Sequence, residues 1–239
     1  MSVAIHLTGF GRFQGVEDNP SCHLARGLAA AAIYAAKDPR IHVASSRVVE
    51  VSMSAAETAL NQIFQDVPDD DSHVLIVHLG VAASASCFHL EQQAINDCTF
   101  RCPDESGLQP QGQSICEALE LGSSLATPLS LPEIAARLDE KWHSRLELSR
   151  DAGRFLCNYI YYRSLQHAAS RKRCYSVFIH VPLQTVADLQ QQANFVCEFV
   201  RCAVDQVLAV AAPQRPAQLT AREKQTAAVS ESKSGAALQ

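Results

Sequence analysis

The sequence has little of several features that define large protein classes. Charged residues make up only 19% and aromatic residues 6% of the 239 residues, and the formal net charge is -5. Such a mildly acidic chain lacks the basic surface that attracts nucleic acid or an anionic membrane. It also lacks a run of about 20 apolar residues, which a membrane-spanning helix requires, and a recognisable secretory signal at residues 1–10. We therefore expect no nucleic-acid or membrane partner, and a location in the cytosol.

The nine cysteines lack the spacing of a disulfide framework or a zinc site. Their number is odd and they are scattered over a long chain, whereas disulfide frameworks are typical of short secreted proteins. Cys98 and Cys102 are four residues apart and His89 is nearby, but a structural zinc site normally needs a Cys-x-x-Cys pair and a matching second pair. The sequence therefore predicts free thiols and no bound metal.

What the chain does have is ample apolar sequence in an alternating order. Hydrophobic residues make up 47% of it, which is enough for one large core. Apolar runs of strand length alternate with segments of helical periodicity, which predicts a single α/β domain with a mainly parallel, twisted open sheet and helices on both faces. The predicted strands are 3–7, 42–51, 73–81, 145–149 and 175–181, and the predicted helices are 20–37, 52–64, 131–142, 153–168 and 186–211.

Two segments do not fit this alternation. Residues 84–127 show no clean period, which predicts loops and short irregular pieces over one end of the sheet. Residues 213–239 are polar and alanine-rich without aromatics, and such a composition buries too little surface to become ordered. We therefore predict a domain at residues 1–212 and a disordered tail at 213–239.

Cys157 is the cysteine whose position favours chemistry. It lies in the early turns of the helix predicted after the strand 145–149. Near a helix N-terminus the thiolate, which is the nucleophilic form, is favoured by the macrodipole and by unpaired N–H groups. The alternative is a buried structural cysteine, which is the expected role of most of the nine thiols.

A histidine and a glutamate follow neighbouring predicted strands. His180 lies at the end of the strand 175–181, and Glu91 follows the strand 73–81 within the irregular middle region. In open α/β sheets, sites form beyond the carboxyl ends of the strands. A histidine at the same sheet edge as Cys157 would deprotonate the thiol, and a carboxylate would orient the imidazole. The residues alone thus predict a Cys-His-Glu set assembled from three loops.

The loop after the first strand is rich in glycine and phenylalanine. It lacks the Lys-Ser/Thr of a phosphate-binding loop and the Gly-x-Gly-x-x-Gly spacing of a dinucleotide site. Phe10 and Phe13 instead favour an apolar slot for a small flat group, although both rings packing into the core is an equal alternative.

Together these segments resemble the type I pyroglutamyl peptidases, a family of cysteine peptidases that remove an N-terminal pyroglutamate. The resemblance spans most of the chain before residue 213. It rests on five motifs in order: Thr8-Gly9-Phe10 with Phe13 and Gly15, Asn19-Pro20-Ser21, Leu90-Glu91, Asp-Ala-Gly-Arg-Phe-Leu-Cys-Asn at 151–158 followed by Tyr161-Tyr162, and Phe178-Ile179-His180-Val181-Pro182.

The resemblance implies a role for each matched residue. Cys157 would be the nucleophile, His180 the general base and Glu91 the partner that orients His180. No cofactor is implied. The residues implied for binding the pyrrolidone ring are Phe10, Phe13, Asn19, Val81, Phe155 and Leu156.

The chain departs from the family pattern around the substrate. The usual Phe-x-Pro-Phe-Gly-Gly run reads Phe-Gly-Arg-Phe-Gln-Gly at residues 10–15, so the loop loses a proline and a glycine. Val81 stands where many bacterial relatives have a glutamine, which leaves main-chain groups to bind the lactam there. Pyroglutamate carries no charge at its amino end, so a dry flat slot with a few hydrogen bonds suits it.

The expected function is therefore hydrolysis of the amide bond after an N-terminal pyroglutamate, with pyroglutamyl peptides as the partners. We expect a monomer or a small homo-oligomer. The alternatives are another thiol-dependent amidohydrolase on the same scaffold, with a specificity altered by Arg12 and Gln14, and a non-catalytic protein that binds pyroglutamyl peptides.

Overall fold

The computed structural model describes residues 1–13, 15–67, 72–142 and 145–211, which contain eight strands and six α-helices. The strands are β1 (Val3–Phe10), β2 (Ile41–Val49), β3 (His73–Val81), β4 (Phe88–Glu91), β5 (Gln93–Ile95), β6 (Ser124–Ala126), β7 (Leu146–Ser149) and β8 (Cys174–Val181). The helices are α1 (Pro20–His23), α2 (Ala29–Ala35), α3 (Met53–Asp66), α4 (Leu131–Trp142), α5 (Leu156–Ala169) and α6 (Leu189–Ala211).

Six of the strands form one mixed sheet in the order β2-β1-β3-β8-β4-β7. β2, β1, β3 and β8 run parallel to one another, as the continuously apolar strands β3 and β8 predict. β4 runs antiparallel to β8, and β7 runs parallel to β4. The predicted mainly parallel sheet is confirmed. The remaining two strands, β5 and β6, form a separate antiparallel pair.

Helices cover both faces of the sheet, as predicted. On one face, the apolar side chains of α2, α4 and α6 pack on inward-facing residues of the strands, such as Leu75, Val177 and Leu90. On the other face, α3 and α5 pack around Phe10 and Phe178. Because side chains alternate along a strand, neighbouring strand residues enter different cores, and the second face is the one on which Cys157 packs.

The long helix predicted at 20–37 begins as expected but is interrupted. Asn19 caps α1 by accepting a hydrogen bond from the Ser21 amide, and Pro20 occupies the first turn. A π-helical turn, Leu24–Leu28, then separates α1 from α2, and Gly27 within it has a φ of 140°. A side chain rarely adopts that conformation, so the glycine permits the kink.

The irregular middle region contains a strand that the sequence analysis missed. β4 lies inside the main sheet between β8 and β7, where the prediction placed loops. Its four residues are too few to show a period. The alternation of side chains is nevertheless present. Phe88 and Leu90 are buried on the sheet face that α2, α4 and α6 cover, so His89 and Glu91 point to the face that α3 and α5 cover.

The prediction that the Cys157 and His180 loops leave the same edge of the sheet is wrong. Because β4 is antiparallel to β8 and parallel to β7, β7 ends at the opposite edge from β8. Residues 150–155 then lead into α5, whose first turn brings the Cys157 sulfur over Gly80 of β3. The nucleophile candidate therefore reaches the site from a helix on the sheet face.

Residues Met1–Ala209 form one compact unit. The predicted domain boundary at residue 212 and the predicted disordered tail at 213–239 lie outside the described residues. Among the helices that the structure describes, none combines the length and the apolar character needed to cross a bilayer.

Candidate active site

A buried histidine and a buried glutamate form a direct pair across β4 and β8. Glu91 has no exposed surface and His180 is 7% exposed. The Nδ1 of His180 donates a hydrogen bond to Oε1 of Glu91 at 2.7 Å. A carboxylate in this position fixes the tautomer and the orientation of the imidazole and leaves Nε2 available. The two residues are 89 apart in sequence and meet because antiparallel pairing aligns β4 with the end of β8.

The thiol of Cys157 lies on the other side of the imidazole. Cys157 is half-buried in the first turn of α5, and its thiol is close enough to His180 to influence the charge of the imidazole. Burial alone lowers the pKa of His180, but the sulfur and carboxylate on its two sides outweigh it and raise that pKa to about 9. A histidine held between an acid and a thiol in this way is suited to take the thiol proton.

Gly80 makes this arrangement sterically possible. It is the register partner of His180 on β3. A Cβ on Gly80 would lie 2.9 Å from the Cys157 sulfur and 2.7 Å from Cζ of Phe178. Both distances are shorter than carbon tolerates, so the sulfur approaches the sheet only where a side chain is missing.

Two aromatic side chains, Tyr161 and Phe178, pack against Glu91 and His180. The hydroxyl of Tyr161 donates to the main-chain carbonyl of Glu91 at 2.8 Å. The Phe178 ring lies 4.7 Å from the His180 ring and 5.7 Å from the Tyr161 ring, measured between centroids. These contacts exclude water from the buried side of the imidazole, which strengthens its hydrogen bond to the carboxylate.

The N-terminus of α5 carries free main-chain donors beside the thiol. Its N-cap residue, Phe155, makes no side-chain capping bond. The first N–H groups of a helix have no partner within the helix. The approach to this turn is fixed by Asp151, whose carboxylate accepts hydrogen bonds from the Gly153 amide at 3.0 Å and from the Arg154 guanidinium at 2.6 Å. The geometry therefore suits stabilisation of a negative charge that develops next to the sulfur.

The loop after β1 is shaped by Asn19 rather than lined by it. Asn19 is 2% exposed. Its amide nitrogen donates to the Gly11 carbonyl at 2.8 Å, and its oxygen accepts from the amide and hydroxyl of Ser21 at 3.0 and 2.8 Å. With both ends of its amide bonded within the loop, Asn19 acts as a brace for Phe10 and its neighbours.

Most of the other residues predicted for substrate binding belong to the apolar cluster that α3 and α5 form around Phe10 and Phe178. Phe10 and Leu156 are buried in it, and Phe13 and Phe155 are half-buried at its margin. Phe155 packs edge-on against Phe100 with a centroid distance of 4.7 Å. The two loop phenylalanines therefore differ. Phe10 packs into the core, whereas Phe13 is partly exposed and remains available to line a slot. Val81 ends β3 directly after Gly80 and is half-buried.

The thiols are as the sequence predicts, but one group of possible metal ligands was not foreseen. All nine cysteines lie in the described residues and all are free. Cys98 and Cys102 do not group with His89. Among the described residues, one set of three potential ligands is close together, namely Cys87, His89 and Glu147, and it lies beside the Cys-His-Glu arrangement rather than within it.

Comparison with known proteins assigns the family. The family model described as pyroglutamyl peptidase matches residues 3–212. The chain belongs to the pyroglutamyl peptidase family. It is 30% identical over 184 residues to the pyrrolidone-carboxylate peptidase of Pyrococcus furiosus, covering 75% of this chain and 81% of the relative. It is also 30% identical over 179 residues to the corresponding peptidase of Vibrio vulnificus, covering 74% and 77%.

Solved structures of pyroglutamyl peptidase relatives share the fold. A mutant pyrrolidone carboxyl peptidase from Pyrococcus furiosus aligns with a TM-score of 0.69 and 26% identity, covering 87% of this chain and 99% of that one. The enzyme from Thermococcus litoralis aligns with a TM-score of 0.71 and 23% identity, covering 90% and 99%. The resemblance that the five motifs predicted is thus confirmed.

Three supporting residues of this pyroglutamyl peptidase fold were missed by the sequence reasoning. Gly80 lies against the Cys157 sulfur, and Tyr161 donates a hydrogen bond to the main-chain carbonyl of Glu91. Asn158, the residue after Cys157, is fully buried and bonds the main chain of Ile95 through both ends of its amide at 2.8 Å. Both Tyr161 and Asn158 fall within or next to the motif around Cys157, but only the folded contacts reveal what they hold in place.

Proposed function

We propose that this protein is a cysteine peptidase that hydrolyses the amide bond after an N-terminal pyroglutamate, with Cys157 as nucleophile. The observation that carries the proposal is the hydrogen bond from His180 to Glu91, with the Cys157 thiol close enough to raise the pKa of His180, in a member of the pyroglutamyl peptidase family. A binding protein has no need of a thiol, a base and an orienting carboxylate in one line.

The first half of the reaction is acyl transfer to sulfur. His180 takes the proton of Cys157, and the thiolate attacks the carbonyl carbon that joins pyroglutamate to the next residue. Donors of the first turn of α5 stabilise the oxyanion of the tetrahedral intermediate, an effect of about 3 kcal/mol. His180 then protonates the leaving amine, the C–N bond breaks, and the shortened peptide departs.

The second half regenerates the thiol. His180 takes a proton from water, and the resulting hydroxide attacks the thioester carbon. The C–S bond breaks, pyroglutamate leaves as a carboxylic acid, and the sulfur recovers its proton from His180. Glu91 keeps the imidazole oriented and stabilises its charged form throughout. Apart from the substrate and one water molecule, these steps use only side chains and main-chain groups of this chain.

Recognition of the pyrrolidone ring rests on the apolar cluster beside the sulfur. Phe13 and Phe155, both half-buried, supply flat apolar walls. Val81 offers main-chain groups to the lactam. A free amino-terminal glutamate or glutamine carries a charged amine, and moving that charge into an apolar slot is costly. We therefore expect peptides with a blocked pyroglutamyl end as substrates.

We also propose that the protein works in the cytosol. The supporting observation is that all nine cysteines are free, including the nucleophile. The reducing environment of the cytosol keeps thiols in that state.

Hydrolysis of a chromogenic pyroglutamyl anilide by the full chain tests the proposal. We expect turnover by the wild type and a loss of at least about 10⁴-fold in kcat/KM for Cys157→Ala, because the nucleophile is removed. Cys102→Ser, which alters another half-buried thiol, is the matched control and should keep full activity. Equal rates for wild type and Cys157→Ala would overturn the assignment.

Two further measurements separate the proposal from its alternatives. Iodoacetamide should alkylate Cys157 before the other thiols, and a pyrrolidone ligand should protect it. The glutamyl and glutaminyl anilides should be poor substrates. Comparable turnover of all three anilides would indicate an amidohydrolase of different specificity, and ligand binding without any turnover would indicate a binding protein.

A further inference from the structure

A second cluster of reactive side chains lies at the β4–β7 edge of the sheet, outside the proposed catalytic series. It consists of the thiol of Cys87, the imidazole of His89 and the carboxylate of Glu147. Each offers one ligand atom, and the three atoms lie within 4.8 Å of one another. The peptidase chemistry proposed above uses none of them.

Strand pairing, rather than chance, brings the three side chains together. His89 and Glu147 are register partners in the parallel pair β4–β7, so their side chains stand on the same face. Cys87 precedes His89 by two residues and shares that face. Phe88 points to the opposite face, where it is buried against Phe195 at a centroid distance of 3.8 Å. This anchoring limits how far the backbone of the cluster can move.

The spacing of the cluster is close to that of a coordination sphere. His89 Nε2 lies 3.9 Å from Glu147 Oε2. Around a tetrahedral zinc ion with bonds of about 2.0 to 2.3 Å, neighbouring ligand atoms are separated by roughly 3.3 to 3.7 Å. The ligand atoms would therefore have to approach one another by only about 1 Å or less to surround an ion.

The exposure of the cluster permits an ion to enter and a water to complete the sphere. The side chain of Glu147 is 68% exposed and that of His89 is 26% exposed, while Cys87 is half-buried. An ion from solvent would thus meet the carboxylate first and the imidazole and thiol next. The exposed side of the cluster leaves room for a fourth, non-protein ligand.

The ligand chemistry selects the class of ion. A thiolate and an imidazole are preferred by zinc and similar transition metals, whereas magnesium and calcium require sets made of oxygen ligands. We propose that Cys87, His89 and Glu147 form a binding site for Zn²⁺ or a similar divalent transition metal, with three protein ligands and one open position. His89 is also the register partner of His180, so the site lies one strand from the proposed base.

Cobalt binding to the full chain tests this site independently of peptidase activity. The Cys157→Ser protein is used throughout, so that the proposed nucleophile does not act as a ligand. We expect one equivalent of Co²⁺ to bind with visible d–d bands and a near-ultraviolet thiolate-to-cobalt band. Zn²⁺ should displace the cobalt, and its affinity is then measured by competition with a chromogenic chelator.

Added substitutions assign the ligands. Cys87→Ser should abolish the thiolate-to-cobalt band, and Glu147→Gln, on an exposed side chain, should weaken Zn²⁺ binding by more than about tenfold, since even loss of an outer-shell partner costs 10- to 100-fold. Cys102→Ser and His42→Gln are the matched controls and should leave both readouts unchanged. Circular dichroism checks that each variant is folded, and Glu147→Gln serves if Cys87→Ser is not.

Two results would overturn the site. One is the absence of a one-equivalent cobalt spectrum with a thiolate band in the Cys157→Ser protein. The other is unchanged Zn²⁺ affinity in folded Cys87→Ser or Glu147→Gln protein.

Discussion

The proposed catalytic series (Glu91, His180 and Cys157) and the proposed substrate loop (residues 10–19) are built in different ways. Glu91, His180 and Cys157 all lie in regular elements, at the end of β4, near the end of β8 and in the first turn of α5. The substrate loop, by contrast, lies between β1 and α1, and its Arg12 is exposed while Phe13 is half-buried.

This difference separates chemistry from specificity. Proton transfer and nucleophilic attack tolerate errors of only a few tenths of an ångström, and rigid elements provide that precision. A loop held from within by the buried side chains of Asn19 and Ser21 accepts changes of exposed side chains without disturbing the sheet. Arg12, where the chain departs from the family pattern, is an exposed residue of this loop.

Among the substitutions that test this comparison, the largest effect is expected from Glu91→Gln. The neutral amide keeps the size of the side chain but no longer stabilises the charged imidazole, so kcat should fall by about 10³- to 10⁴-fold. KM should change little, since Glu91 is fully buried and has no substrate contact. Steady-state kinetics with the pyroglutamyl anilide provide both values.

Glu57→Gln is the matched control for the loss of a carboxylate. Glu57 bonds Tyr159 and Arg163 on the same face of the sheet, away from His180. Its substitution should lower stability and leave kcat near the wild-type value. If Glu91→Gln kept kcat within threefold of the wild type, the orienting role of Glu91 would be refuted.

A smaller loss is expected from Gly80→Ala. The added Cβ would lie 2.9 Å from the Cys157 sulfur and 2.7 Å from Cζ of Phe178, whose ring packs on His180. The sulfur and the Phe178 ring must therefore shift, which disturbs the arrangement around His180. A displacement of about 1 Å costs about 10²-fold in kcat/KM, and alkylation of Cys157 by iodoacetamide should slow as well. Wild-type rates of both reactions would show that the close approach at Gly80 is unimportant for the site.

Substitutions in the loop after β1 should change substrate affinity rather than the rate of the chemical step. Phe13→Ala removes a half-buried wall of the proposed slot, so KM should rise about tenfold while kcat changes less. Phe64→Ala is the control, because that ring is also half-buried but stacks on His167 at 3.6 Å. A fall in kcat with an unchanged KM for Phe13→Ala would contradict the division between loop and catalytic series.

The smallest effect concerns stability at low pH. His78, fully buried in β3, bonds Thr8 at 2.7 Å, and desolvation lowers its pKa to about 3 from the ordinary value of 6.5. Between pH 6.5 and pH 3, His78 is therefore mostly protonated in the unfolded chain but stays neutral in the folded chain. This contribution to stability is fully present only well above pH 6.5 and is lost as the pH falls towards 3, by about 1.4 kcal/mol at pH 5.5.

Urea unfolding of wild type and His78→Asn between pH 7.5 and 5.5 measures this contribution. Asparagine retains a polar group near Thr8 but does not titrate, so the difference in stability between the two proteins should shrink as the pH falls. A difference that is constant over this range would contradict the buried neutral state of His78.

Most elements of the fold follow from local sequence. The continuous apolar run at 73–81 and the amphipathic period at 131–142 predict β3 and α4 with the bounds that the structure has. β4 could not be predicted, because four residues show no period and their place in the sheet depends on pairing with β8, some 90 residues away. The direction of β4 and β7, which run antiparallel to the other four strands, also depends on this long-range pairing.

The candidate site was predicted in its members but not in its assembly. The motifs around Cys157 and His180 identify those residues and, with Glu91, predict a Cys-His-Glu set. Only the structure shows that the sulfur reaches the imidazole from a helix over Gly80, and that Asn19 braces the loop from within. Gly80 carried no local sequence pattern, because its requirement comes from a neighbour 77 residues further along the chain.

The sequence by itself determined the family and the α/β alternation and predicted which thiol, imidazole and carboxylate form the proposed site, because each depends on residue types in short segments. Tertiary structure alone decided which of the polar side chains meet: Glu91 with His180, and His89 with Cys87 and Glu147 rather than with Cys98 and Cys102. Strand direction and register set those meetings, and a register is fixed by the packing of whole sheet faces, not by any one segment.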